Sequence, residues 1–240
     1  MQYFDNMPNI LPGRVMMASC LNADRNTKGW LLAIAAVLSL GSHPTAADEL
    51  HRLVRLCEKC HGEDGYSVKP EVPIIAGFSR EGFHETMESF RRFKRTALAL
   101  RLRNLPDEYL RMNEIALRLN DDSVTILADY YSALPFKPAL QEADEELARR
   151  GAAIHDKKCE KCHSENGASP LDDAAILAGQ WTPYLRRQFD NILGGKRKVP
   201  KRMLRAVRSL SQDDIEALLN FYAMEGKVRA PGTWTHETTR

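Results

Sequence analysis

Cys57-Glu58-Lys59-Cys60-His61 is written a second time as Cys159-Glu160-Lys161-Cys162-His163. Two thiols at this spacing can form thioethers with both vinyl groups of one porphyrin, and the histidine that follows offers its imidazole to the iron. The repeated pentapeptide predicts two covalently bound haem c groups, attached through Cys57, Cys60, Cys159 and Cys162, with His61 and His163 as iron ligands.

Two other chemistries use Cys-x-x-Cys pairs, and both fit less well. A thiol–disulfide site or a single zinc ion held by the four cysteines has no use for the histidines. A redox thiol motif also sits near a strand–helix–strand pattern, which is not found here, and zinc-ribbon pairs lie much closer together than the 102 positions separating Cys57 from Cys159.

The duplication extends well beyond the pentapeptide. Gly65-Tyr66-Ser67 and Ile74-Ile75-Ala76-Gly77 answer to Gly167-Ala168-Ser169 and Ile176-Leu177-Ala178-Gly179, still 102 positions apart. Further on, Met112-Asn113-Glu114-Ile115-Ala116 parallels Met203-Leu204-Arg205-Ala206-Val207 at an offset of 91. The first half therefore carries an 11-residue insertion between about Arg80 and Met112. Self-similarity of this kind predicts one structural unit used twice.

Each unit reads as helical, with loops around the haem. Leu50, Leu53, Val54 and Leu56 form an apolar stripe at helical spacing before the first motif, and Leu147 and Ile154 do the same before the second. Each half closes on another helical pattern, Asp121 to Ala133 and Gln212 to Met224, opened by residues of good capping type. Halves of about 85 residues are too small for a large core, so the haem fills much of each interior. The predicted fold is all-α, two tandem units at 48–138 and 139–228, each wrapped around one haem. Leu134-Pro135-Phe136-Lys137-Pro138 breaks the helix and serves as linker, with the boundary near Pro138. The stretch 229–240, polar and containing Pro231 and Gly232, reads as a flexible tail.

At 240 residues, 43 % hydrophobic and 28 % charged, the chain has the composition of a globular protein. Lys28 precedes the apolar run Trp30 to Leu40, and Thr45-Ala46-Ala47 supplies small residues for cleavage before Asp48, the pattern of a secretory signal over residues 1–47. The run is too short to span a bilayer, so the mature chain has no membrane span and is placed in the periplasm; an uncleaved anchor is the competing reading. The polar stretch up to about Arg25 is long for such a signal and leaves Met16 or Met17 as candidate starts. Cys20 lies before the apolar run, which argues against a lipid-modified cysteine, and is lost with the signal.

A net charge of +2 gives no case for binding nucleic acid. Basic clusters stand at Arg91-Arg92-Phe93-Lys94-Arg95 and at Lys196-Arg197-Lys198, the latter extended by Lys201 and Arg202. They are either solvated surface or a docking face for an acidic redox partner.

The order of Cys-x-x-Cys-His, Gly-x-Ser, Ile/Leu-Ala-Gly, a methionine and a last helix resembles class I cytochrome c domains of the two-haem kind, over about residues 48 to 225. The second half, from Ile154 through Cys159-Glu160-Lys161-Cys162-His163 to Ala178-Gly179-Gln180-Trp181-Thr182-Pro183-Tyr184-Leu185, is similar to the cytochrome subunit of flavocytochrome c sulfide dehydrogenase. The resemblance implies a distal methionine at Met203, beyond Pro200 in a loop. It also implies that His61 donates its ring N–H to the carbonyl of Pro73, with Ala175 in the matching place of the second half. Pro170 is displaced and shapes only a turn.

No motif fixes the sixth iron ligand. Methionine sulfur is soft, suits both iron oxidation states and raises the reduction potential. The repeat register selects Met112 in the first half, whereas Met87 falls in an apparent helix with Phe83 and Phe90, and Met224 in the last helix reads as core. His84 and His155 lie on helical stretches and read as surface or satisfied side chains. Trp181, Tyr184, Phe189 and Tyr222 suit haem stacking or ordinary packing, and Trp181 and Tyr184 could line the contact between halves.

These readings describe a periplasmic two-haem electron-transfer protein with no catalytic residues of its own. The resemblance makes it the electron-accepting subunit of a sulfide dehydrogenase, served by a flavoprotein partner, since no dinucleotide-binding glycine loop occurs in this chain. Two alternatives stand: a free carrier like cytochrome c-four passing electrons to a terminal oxidase, and a haem enzyme of thiosulfate or peroxide metabolism with one open iron.

Overall fold

The computed structural model describes residues 45–102 and 105–229. The signal segment, apart from its last residues, and the tail beyond Arg229 lie outside the described residues. The fold is mostly helical, as the apolar spacing requires. No helix among the described residues is long and apolar enough to cross a membrane.

Helix α1 (Ala46–His61) starts at a reciprocal cap, in which Asp48 N–H donates to Thr45 Oγ1 at 3.1 Å and Thr45 N–H to Asp48 Oδ2 at 2.9 Å. It buries Leu53 and Val54 and runs through the first pentapeptide. Gly62 ends it at φ +78°, where a Cβ would stand 2.6 Å from the Tyr66 carbonyl oxygen. Helix α2 (Arg80–Arg91) presents Phe83, Met87 and Phe90 to the same core at i, i+4 and i+7. A short antiparallel hairpin follows, β1 (Leu100–Leu102) with β2 (Leu105–Leu110), in register Leu100↔Leu110 and Arg101↔Tyr109. The hairpin is a small addition to a unit that is otherwise helical, as expected. Residues 100–110 number 11, so the hairpin fills the insertion that the change of offset demanded.

Helices α3 (Met112–Arg118) and α4 (Asp121–Ala133) complete the first half. Arg91 ties them to α2 by donating to the carbonyls of Ala116 (3.0 Å) and Leu119 (2.6 Å) and to Asp121 Oδ1 (2.6 Å). Those carbonyls lie at the end of α3, where intrahelical partners run out. Leu134 to Asp144 has no regular secondary structure, and this linker packs against two equivalent glycines. A Cβ on Gly77 would meet Phe136 N at 2.7 Å, and one on Gly179 would meet Pro138 Cβ at 2.3 Å.

The second half repeats the plan in helices α5 (Glu145–Lys158), α6 (Ser164–Gly167), α7 (Thr182–Leu193), α8 (Lys201–Arg208) and α9 (Gln212–Val228). The last helix runs four residues beyond the expected end at Met224. Helices α5 and α9 cross at Gly151, where a Cβ would stand 2.1 Å from the Ala217 carbonyl oxygen. The equivalent position of the first half is Glu49, and there α1 and α4 meet less extensively.

A two-fold relation joins the halves. Thr96 N–H donates to the Lys196 carbonyl (3.1 Å) and Lys198 N–H to the Lys94 carbonyl (2.6 Å), a reciprocal exchange that centres on the equivalent positions Arg95 and Arg197. Gln180 adds a paired bond across the contact, accepting from Ile74 N–H (3.0 Å) and donating to its carbonyl (2.9 Å). Trp181 Nε1–H donates to the Ser67 carbonyl (2.8 Å), so Trp181 lines this contact.

Candidate haem sites

In the first half the last turn of α1 places Cys57, Cys60 and His61 at i, i+3 and i+4, on one helix face. Both thiols are free. Burial pushes the Cys57 thiol up to about 11, only partly offset by the Tyr131 hydroxyl beside it. A thiol held that far from thiolate is unsuited to disulfide exchange, which works through the anion. Tyr131 Oη is itself buried with no well-formed hydrogen bond among the described residues.

His61 is 6 % exposed, and its Nδ1–H donates to the Pro73 carbonyl at 2.9 Å. That bond fixes the tautomer and leaves the Nε2 lone pair for a metal. Burial pushes its pKa down while the Pro73 carbonyl opposes, so the ring is neutral at neutral pH. The loop returns because Ile75 N–H donates to the Gly65 carbonyl (3.0 Å) and Gly77 N–H to that of Tyr131 (2.8 Å).

Equivalent bonds recur in the second half: Leu177 N–H to the Gly167 carbonyl (2.8 Å), Gly179 N–H to that of Tyr222 (2.8 Å), and His163 Nδ1–H to that of Ala175 (3.1 Å). Burial lowers the pKa of His163, with the Ala175 carbonyl opposing. The motif itself is built differently. Helix α5 stops at Lys158, and Cys159 to His163 follow in a turn, with Cys162 and His163 N–H both donating to the Cys159 carbonyl at 3.0 Å. Cys162 is exposed and His163 half-buried.

The cause of the difference is a buried network that sequence reasoning missed. His155, where the first half has Leu53, is 1 % exposed and bonds Tyr222 Oη at 3.0 Å and Glu160 Oε2 at 2.7 Å. Glu160 also accepts N–H groups from Glu165 (3.0 Å) and Asn166 (3.2 Å), fixing the loop beyond the motif. Its counterpart Glu58 reaches Asp64 N–H, at 3.4 Å. His155 is thus a satisfied core histidine. His84 differs from expectation, because its Nε2 is buried with no hydrogen-bond partner among the described residues.

The methionine placements need one correction. Met203 lies in α8, with Pro200 as N-cap, rather than in a loop, and is half-buried. Met112 likewise opens α3 and packs, partly buried, against the first core. The first basic cluster is split: Arg91 ties helices together and Arg95 is buried, while Arg92, paired with Glu88, and Lys94 are exposed. In the second cluster Lys196, Lys198, Lys201 and Arg202 are exposed, while Arg197 turns inward to Gln188.

The residues fit haem c: paired thiols, a neutral imidazole with one nitrogen committed, and, in the first half, an unpartnered buried hydroxyl. Cys57, Cys60 and His61 would hold one group, and Cys159, Cys162 and His163 the other. Bound haem c supplies a one-electron iron couple. The chain's part is to orient each imidazole through a backbone carbonyl and to withdraw it from water.

Comparison with known proteins agrees with this geometry. The family model described as cytochrome C oxidase, cbb3-type, subunit III matches residues 146–221. Cytochrome c4 of Stutzerimonas stutzeri is 28 % identical over 178 residues, covering 70 % of this chain and 83 % of the relative. In fold the chain resembles reduced recombinant cytochrome c4 from Pseudomonas stutzeri, at a TM-score of 0.59 and 24 % identity, covering 75 % of this chain and 98 % of that one. It also resembles thiosulfate dehydrogenase from Marichromatium purpuratum, at a TM-score of 0.59 and 22 % identity, covering 73 % of this chain and 39 % of that one. A helical unit used twice, each copy with its own attachment motif, and a likeness running through both copies lead to one conclusion: the chain has the fold of two-haem class I c-type cytochromes and is similar to cytochrome c4.

Proposed function

We propose that the chain is a free-standing periplasmic electron carrier, taking electrons singly from one redox protein and delivering them to another. The observation that carries this reading is the shared setting of the two motif histidines. Each has the same attachment pair and a histidine with its Nδ1–H on a backbone carbonyl, at 2.9 and 3.1 Å. A relay uses two like centres, whereas a catalyst sets one apart with an open iron.

In this reading Cys57, Cys60, Cys159 and Cys162 form the thioethers, His61 and His163 are proximal ligands, and Met112 and Met203 close the sixth positions. The units are 48–138 and 139–228, delivered to the periplasm by residues 1–47. Likeness to cytochrome c4 along both halves supports the carrier. The sulfide dehydrogenase subunit expected from the second half gains no comparable support. A docked role in a larger oxidoreductase is favoured by one observation, the fold likeness to thiosulfate dehydrogenase.

Isolation from the periplasm under mild conditions decides between them. The carrier reading expects one chain with two haems, no flavin, and reversible reduction by small redox proteins. A co-purifying flavoprotein, or reduction by sulfide or thiosulfate that requires a second chain, would replace it with the subunit reading.

A further inference from the structure

His155 and Leu53 are the same position of the repeat, and both are buried, at 1 % and 0 % exposure. Around them each half has a tyrosine on its last helix, Tyr222 and Tyr131, and a motif glutamate, Glu160 and Glu58. In the second half these groups join through the histidine, with Nε2 2.7 Å from Glu160 Oε2 and Nδ1 3.0 Å from Tyr222 Oη. In the first half leucine joins nothing, and Tyr131 Oη has no well-formed hydrogen bond among the described residues.

The partners of His155 suit two protonation states equally. An ionised carboxylate only accepts, so Glu160 keeps a proton on Nε2. A hydroxyl both donates and accepts, so Tyr222 answers Nδ1 either as a lone pair or as an N–H. In the neutral state Tyr222 O–H donates to Nδ1; once Nδ1 is protonated the bond reverses, and the hydroxyl hydrogen turns to Cys159 Sγ, which lies within its reach. Burial raises the Tyr222 pKa well above its usual 10, so the phenol keeps its own proton throughout. Neither state leaves His155 or Tyr222 without a partner, and Glu160 supplies the opposite charge that a buried imidazolium needs.

The neighbouring charged groups leave this pair to itself. Lys158 on α5 turns to Ser209, Glu225 on α9 is held by Arg229, and Glu165 on α6 gives its N–H to Glu160. From the motif turn comes His163, where positive charge on His155 disfavours further positive charge. An iron held by His163 carries one positive charge fewer when reduced, so a protonated His155 favours the reduced form.

We propose that His155, with Tyr222 and Glu160, is a proton-binding site linked to reduction of the second haem. One electron arrives from a redox partner and one proton from water, and both leave on oxidation; the first half, with Leu53, takes up the electron alone. The inference rests on the two-haem reading.

The test uses the full holoprotein and the variants His155→Leu, which gives the second half the residue of the first, and Glu160→Gln. Intact mass first counts haems per chain, and fewer than two in the wild type would sink the two-haem reading rather than the proton site. Redox titration then follows both potentials from about pH 5 to 8, where histidine ordinarily changes charge. In the wild type the reduction equilibrium constant of one haem is expected to fall about tenfold more than that of the other across this range, ~59 mV for one electron. His155→Leu is expected to abolish that difference, and Glu160→Gln, which removes the opposite charge, to move it to lower pH. Two wild-type potentials that respond to pH alike, within about twofold, would overturn the proposal, as would a difference that survives in His155→Leu. Where the Leu variant fails to keep its second haem, Glu160→Gln decides, and a pH response identical to the wild type overturns the proposal as well.

Discussion

Phe93 stands where the repeat has Gly195, and both adopt the left-handed backbone, at φ +52° and +70°. A non-glycine residue pays about 1–2 kcal/mol there, against a glycine entropy cost of about 0.5–1 kcal/mol. Because the ring is 69 % exposed and buries little, Phe93→Gly is expected to raise stability by up to about 1 kcal/mol. The shift in a denaturation midpoint measures it, and a loss of stability would show that the ring makes contacts that matter. At the iron, Met203→Ala removes the proposed sulfur ligand. It is expected to lower one potential and turn one haem high-spin, leaving the other unchanged; an unaltered spectrum would remove Met203 from the site. The attachment residues were legible because Cys-x-x-Cys-His has few other uses. The His155–Tyr222–Glu160 network was not, because no local spacing marks a histidine whose partners lie 67 and 5 residues away.

At the scale of elements, the close crossing of α5 and α9 depends on Gly151. Gly151→Ala would drive a methyl into the Ala217 carbonyl oxygen, and overpacking of that kind costs about 1–3 kcal/mol. The same helix α9 begins on a reciprocal cap between Ser211 and Asp214, so Ser211→Ala is expected to cost about 1 kcal/mol. Bonds from Ser211 and the ion pair with Arg150 hold the Asp214 carboxyl below its usual 3.8. A lowered folded value means that this contribution is present above about pH 3.8 and is lost as pH falls through the folded value. Asp214→Asn should therefore be less stable than the wild type near neutrality, with the gap closing in strong acid; urea midpoints across pH would show a constant gap if the account were wrong. Helices α1, α4 and α5 could be read from apolar spacing and capping residues. The hairpin was not, because Leu100-Arg101-Leu102 alternates over too few residues to mark a strand and Leu105 to Leu110, with Pro106 inside it, does not alternate.

For the whole molecule, the contact between halves rests on few side chains. Gln180 spans it with both amide atoms on Ile74, and Gln180→Ala would leave a buried N–H and carbonyl unpaired at roughly 1–3 kcal/mol each. Altered shifts in both haem potentials, together with a lower melting temperature, would register the loosened contact. The repeat announced two like halves, but their two-fold packing follows from bonds between residues about 100 positions apart, which no local pattern records. Lys196, Lys198, Lys201 and Arg202 form an exposed basic strip beside this contact. If an acidic partner docks there, electron exchange slows as salt is raised past the screening length of about 10 Å at 0.1 M; a rate indifferent to salt would exclude the strip as the docking face.

The central claim is that both irons are closed and serve only to carry electrons. The direct measurement is the absorption spectrum of the reduced two-haem protein before and after carbon monoxide. Two closed low-spin centres predict no change, whereas a shifted Soret band at either haem would reveal an open iron and contradict the carrier reading.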